Sequence, residues 1–154
     1  LDLVVSAQNH LYRAGPSLIN YWGRERAMEV TPVRSFLDNG LLVAGGTDSP
    51  VIPYNPFWAM YHFISRETIS DGVYGPGQRI TREEALRIFT INNARLTFEE
   101  NIKGSLETGK LADLVVLDRD YLTIPAQRIK DITPVLTMVG GRVVFDASAP
   151  SSTR

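Results

Sequence analysis

Two short runs, Leu3-Val4-Val5 and Leu41-Leu42-Val43-Ala44, are apolar at every position, whereas a strand with one wet face alternates apolar and polar. Such runs fit strands covered on both faces, as in parallel sheets. Between them, Thr31-Pro32 offers an N-cap followed by proline at the first helical position. That helix reads from Pro32 to Asn39 and stops at Gly40. Two buried strands joined through a helix make a parallel β-α-β unit, which places the chain among α/β proteins. Inside the connection, Gly15-Pro16 reads as a break and Arg24 to Glu29 as a short helical turn.

Downstream, Asn55-Pro56 repeats the cap-plus-proline signature and starts a helix with Phe57, Met60, Tyr61 and Ile64 as its core face. Ser70 to Arg79 holds three Gly and a Pro and reads as an exposed loop. Thr81 and Glu84 form a capping box for a helix in which Leu86, Phe89 and Leu96 recur on one side. The period then changes from helix to strand. Ala112 to Asp118 is a β run, and Val135 to Val139 and Arg142 to Phe145 flank Gly140-Gly141, a strong hairpin signal. Ala147 to Arg154, rich in small and polar residues, reads as a frayed tail.

At 154 residues the chain is long enough for one ordinary domain. Sixteen Lys and Arg against seventeen Asp and Glu leave a net charge of −1, so there is no positive excess to hold a phosphate backbone. Nucleic acid is not an expected partner. No run approaches the roughly 18 apolar residues that cross a bilayer, and Leu1 to Arg13 lacks the basic head of a signal peptide. No membrane partner is expected, and the cytoplasm is the expected location. Without Cys the chain has no disulfide, thiolate ligand or thiol nucleophile. It begins with Leu1, not Met, and the expectation is a processed or excised piece of something longer.

Asp48 leaves the C-terminal end of the second buried run within Gly45-Gly46-Thr47-Asp48-Ser49-Pro50. In α/β folds that rim gathers catalytic side chains, because its loops vary freely over a rigid sheet. A carboxylate there can bind a metal with one oxygen and accept a proton from activated water with the other. The alternative is that Asp48 caps its own turn. His10 stands in the same relation to the first strand, so both side chains should project from one rim. Its imidazole suits a metal ligand, a substrate hydrogen bond or a proton relay, or else a polar cap on the strand end. His62 lies among Trp58, Tyr61 and Phe63 in a helix and reads as packing or surface. Those aromatics at helical spacing read as core rather than a ligand box. Gly45-Gly46 lacks the spacing of a dinucleotide-binding turn.

A catalytic zinc site usually takes three protein ligands, mostly nitrogen or sulfur, and this chain offers two His and no Cys. Two parallel strands cannot close a barrel either, a fold that takes about 250 residues. The expectation is therefore half of a site.

The segment Gly45 to Val51, followed by Asn55-Pro56 and Thr81-Arg82-Glu83-Glu84-Ala85-Leu86, resembles the last strand and helix of the metal-dependent amidohydrolase superfamily. The branch it resembles is amidohydrolase family 3. Lys103 to Asp118, KGSLETGKLADLVVLD, is similar to the superfamily's entry into its small β-sandwich domain. Val5 to His10 resembles the seventh-strand segment, where the branch commonly carries Pro in place of Asn9. The resemblance runs from about Leu3 to about Asp146 and covers the C-terminal third of such an enzyme.

It implies the last two β/α units of a TIM (β/α)8 barrel over residues 1–102, strands of a composite β-sandwich over 103–146, and a flexible tail over 147–154. It implies one or two divalent metals, zinc above all, in the complete protein, and none necessarily held by this piece. Asp48 would be the eighth-strand carboxylate that ligates metal and acts as general base. His10 would contact the substrate, a small amide-type molecule whose amide or related C–N bond is hydrolysed by metal-activated water. The metal-binding His residues of earlier strands are absent, so the piece alone is expected to be inactive. Its open sheet edges would pair with the remainder of the parent chain or with a second copy. The competing reading is a non-catalytic α/β module that uses those edges to bind a partner chain.

Overall fold

The computed structural model describes residues 3–149. Strands β1 (Val4–Gln8) and β2 (Leu42–Gly46) pair in parallel, in register from Val4 with Leu42 to Gln8 with Gly46. Between them run helices α1 (Leu11–Met28) and α2 (Val33–Asp38), so the β-α-β unit is present. The sheet holds these two strands among the described residues, and each has one unpaired edge.

Several local expectations are corrected. Gly15-Pro16 does not break the chain: α1 runs through Pro16 and kinks instead at Gly23 (φ 78°, ψ 162°), so Arg24 onward is its last part. Pro16 has no N–H to return to the Tyr12 carbonyl, and that carbonyl accepts the Ile69 N–H at 2.8 Å instead. Pro32, not Thr31, occupies the N-cap position of α2, and no side chain caps this helix. Its other end behaves as expected: Gly40 takes φ +72°, and the Gly40 and Leu41 amides close on Leu37 and Phe36. Strand β1 extends through Ser6, Ala7 and Gln8, and Leu3 and Val4 are not covered on both faces, being 58% and 39% exposed. Paired with Leu42 along one edge, that end of β1 keeps much of its apolar surface open among the described residues, whereas Val43 and Ala44 of β2 are fully covered.

Strand β2 is covered by α4 (Arg82–Phe89) and α5 (Ile91–Leu96), with α2 packed against it as well. The Asn92 and Asn93 side-chain amides donate to the Val43 and Gly45 carbonyls at 2.8 and 3.1 Å. A side chain at Gly45 would strike the Phe89 ring, so glycine is what lets α4 approach the strand. The capping box is complete, with Thr81 accepting from the Glu84 N–H and Glu84 from the Thr81 N–H. The expected apolar face is not: Thr90 (φ −125°, ψ −96°) splits the helix in two and resets its phase. Ala85, Ile88 and Ala94 are buried, while Leu86 and Leu96 stay partly exposed; Leu86 joins Phe89 in lining an open apolar groove against Val115 and Leu117.

Helix α3 (Pro56–Ser65) starts on Asn55, whose side chain accepts the Phe57 N–H at 2.9 Å. It lies between α4 and a 3-10 turn at Ala126–Asp131, so every residue from Ala59 to Phe63 is buried, more than the one face expected. After its end, Arg66 adopts φ +61° with its side chain fully buried. Its guanidinium donates to the carbonyls of Tyr74 (2.9 Å), Thr31 (3.1 Å) and Val30 (2.8 Å). That anchorage draws part of the 70–79 segment inward. Tyr74, Gly75 and Gln78 are buried and Pro76–Gln78 form a 3-10 turn, so the segment is only partly an exposed loop.

The C-terminal part is a three-stranded antiparallel sheet of β3 (Leu114–Leu117), β4 (Pro134–Val139) and β5 (Arg142–Asp146). Gly140 and Gly141 both take positive φ, 55° and 77°, as a two-residue hairpin turn requires. Strand β5 is exposed at every position. Ala147 to Ala149 form a turn on Asp146, and the rest of the expected tail, 150–154, lies outside the described residues.

Candidate active site

Because β1 and β2 run in parallel, their C-terminal ends share one rim. Gln8 is paired with Gly46, and His10 and Asp48 each stand two residues beyond that pair. The rim therefore brings together the two residues singled out in the sequence: His10 Nε2 lies 3.0 Å from Asp48 Oδ2. Nε2 itself is covered by its surroundings and makes no hydrogen bond of good geometry, so the contact is a close approach of the two side chains and not a hydrogen bond. Both side chains nonetheless face solvent, at 42% and 55% exposure, which leaves room for a third party beside them.

Asp48 takes φ +52°. A left-handed backbone costs a non-glycine residue roughly 1 kcal/mol, with Asp among the most tolerant side chains. The turn it begins is closed through the main chain, Val51 N–H to Asp48 C=O at 3.0 Å, and not through the carboxylate. Asp48 is thus held in an unusual conformation with its carboxylate not spent on closing the turn and turned instead toward His10.

Among the described residues no group of three or more His, Cys, Asp and Glu is placed to hold a metal ion. The donor set at the rim, one carboxylate oxygen and one imidazole nitrogen, is of the kind a borderline divalent ion takes, and fits part of such a site. His62 cannot complete it. It is wholly buried, with Nδ1 2.9 Å from the Glu67 carbonyl and its ring edge-on to Tyr12 and Phe63. The packing reading of His62 holds. Tyr61 and Phe63 are likewise core, and Trp58 packs edge-on to Tyr12 with the Lys130 ammonium 5.3 Å over its ring. Asn9 went unremarked in the sequence except as a departure from Pro. Its side chain is fully buried and neither amide atom has a partner among the described residues.

Burial pushes the His62 imidazole down from 6.5 to about 4; the Glu67 hydrogen bond opposes the shift and the Arg66 charge adds to it. The folded state therefore holds His62 neutral while the unfolded chain takes up a proton below pH 6.5. Stability from this group is complete above pH 6.5 and is lost as pH falls toward about 4, by about 3 kcal/mol in all. In urea titrations across that window, His62→Leu should remove a matching part of the pH dependence. Parallel slopes for variant and parent would contradict this.

The model of the amidohydrolase family matches residues 3–145. The chain belongs to the amidohydrolase family. It is 34% identical over 142 residues to the N-substituted formamide deformylase of Arthrobacter pascens, covering 86% of this chain and 26% of that protein. It is 33% identical over 150 residues to the protein LONG AFTER FAR-RED 3 of Arabidopsis thaliana, covering 94% of this chain and 25% of that one. A metal-dependent hydrolase from Pyrococcus furiosus superposes with a TM-score of 0.65 at 32% identity, over 79% of this chain and 25% of that one. The atrazine chlorohydrolase TrzN of Arthrobacter aurescens TC1, solved with zinc, gives 0.61 at 24% identity, over 92% and 32%, a likeness of fold. The chain thus has a mixed α/β fold that matches amidohydrolase structures, and it spans about a quarter of the length of these curated relatives.

Proposed function

We propose that the chain forms the last two β/α units of a (β/α)8 barrel, through residue 102, and the C-terminal strands of a composite β-sandwich over 103–146, in a metal-dependent amidohydrolase. The observation that carries this reading is the 3.0 Å approach of His10 and Asp48 at one rim of a parallel sheet. The open edges of β1 and β2 support it, since a barrel would continue from both. The reaction is hydrolysis of an amide or related C–N bond in a small molecule. When bound, a divalent ion, zinc above all, supplies Lewis-acid polarisation of the carbonyl and of the attacking water.

Asp48 would hold that ion with one oxygen. Its other oxygen accepts the proton of the attacking water and returns it to the departing nitrogen. His10, beside it and solvent-facing, contacts the substrate and keeps the carboxylate turned to the rim. The remaining ligands come from outside the described residues, from the rest of a longer protein or a second copy. The interaction-module reading uses the same open edges but gives the His10–Asp48 pair no task.

The formamide deformylase relative makes N-formyl amines the first substrates to assay. The full-length protein should release formate from them and lose that activity to a chelator, while residues 1–154 alone should not. Failure of the metal-loaded full-length protein on a panel of N-formyl amines, amides and cyclic amides would sink the reading.

A further inference from the structure

We propose that Arg13 is a positioning residue that holds Asp48 against His10 by closing a ring of contacts across the rim, an inference that rests on Asp48 being the base. The ring has four links. In the first turn of α1 the Arg13 N–H donates to the His10 carbonyl at 3.0 Å. The Arg13 guanidinium crosses to the loop after β2 and donates through Nη1 to the Val51 carbonyl at 2.8 Å. The Val51 N–H returns to the Asp48 carbonyl at 3.0 Å, and Asp48 Oδ2 meets His10 Nε2 at 3.0 Å. Two links cross from the start of α1 to the loop that follows β2, one at each end of the turn that begins at Asp48.

That turn needs holding. Asp48 sits at φ +52°, a conformation that persists when its surroundings fix it. Beyond Val51 the next side chain, Ile52, is fully buried and ties the loop to the core. Upstream of Val51 no side chain is buried back to Gly46, so this half of the loop relies on its main-chain bond and on Arg13. With the guanidinium gone, the 48–51 turn loses its tether. Asp48 is then free to relax to negative φ, which swings the carboxylate away from His10. Arg13 is exposed, and among the described residues its guanidinium donates to the Val51 carbonyl, so it acts through Asp48 and not on the reacting atoms. Its spacing explains its reach: three residues after His10, it shares one helical turn with the residue whose partner it positions.

The test uses the full-length, metal-loaded protein with Arg13→Gln, Arg13→Lys and Asp48→Asn, read by steady-state kinetics and amide hydrogen exchange. Arg13→Gln should raise exchange in the peptide containing Val51 at least about tenfold and leave the α4 peptide unchanged. Its kcat should fall about 10- to 100-fold with KM within about twofold, and Arg13→Lys should recover most of both losses. Unchanged exchange at Val51, or unchanged kcat while Asp48→Asn is inactive, would overturn the proposal. So would faster exchange across α4 as well, which would make Arg13 a general stabiliser. An active Asp48→Asn protein would instead show that the functional reading beneath it has failed.

Discussion

Asp48→Asn in the full-length, metal-loaded protein is expected to lower kcat by about 10²- to 10⁴-fold, the usual contribution of a positioned general base. The substitution keeps the side chain's size, and Asn tolerates the left-handed backbone that Asp48 adopts at φ +52° as well as Asp does. The turn closed by the Val51 N–H should therefore survive, and the melting temperature should change little. What disappears is the negative charge beside His10 and the ability to accept a proton. Steady-state kinetics on an N-formyl amine, with thermal melts alongside, checks both halves. Full activity in a normally folded variant would remove Asp48 from the chemistry.

The largest effect on stability should come from Gly75→Ala. A β-carbon there would lie 1.9 Å from the main-chain carbonyl oxygen of Met28, and Gly75 already requires φ +57°. The obstacle is backbone at the end of α1, so no rotamer change relieves it. The 70–79 segment would have to lift, taking buried Tyr74 with it and breaking the bond from Arg66 to the Tyr74 carbonyl. A loss of more than about 4 kcal/mol is expected, against a typical total of about 5–15 kcal/mol. Gly72→Ala is the control. Gly72 takes φ +72° with nothing within 4 Å of the added carbon, so only backbone strain applies, about 1 kcal/mol. Denaturant midpoints for the two variants separate overlap from strain, and equal midpoints would contradict the packing described.

The parts of this protein that could be read in its sequence are those set by short-range physics. An unbroken apolar run does not suit a strand with one wet face, and that placed β2 inside and its end at a rim. Thr81 with Glu84, Asn55 before Pro56, and Gly140-Gly141 each satisfy or free backbone groups within three or four residues, so their structures follow from local hydrogen bonding and φ alone. Asp48 and His10 were legible as a pair for the same reason: parallel strands carry their C-terminal residues to one side, whatever packs around them.

Tertiary structure settled what depends on contacts between distant segments. Arg66 would be read as a surface cation, yet it is wholly buried, because the carbonyls of Val30 and Thr31, between α1 and α2, meet it across the fold. Pro16 looks like a break, and α1 passes through it because Ile69 supplies the hydrogen bond that the proline frees. Leu86 and Leu96 look like core, but α4 turns Ala85 and Ile88 inward in place of Leu86, and the break at Thr90 resets the phase so that Leu96 stays exposed. Arg13 has no local mark that separates it from any exposed helical arginine; only the loop from β2, arriving beside it, gives its guanidinium a carbonyl to hold. A residue's own preferences act over a few bonds, whereas burial and the pairing of polar groups are fixed by which remote segment comes to lie against it.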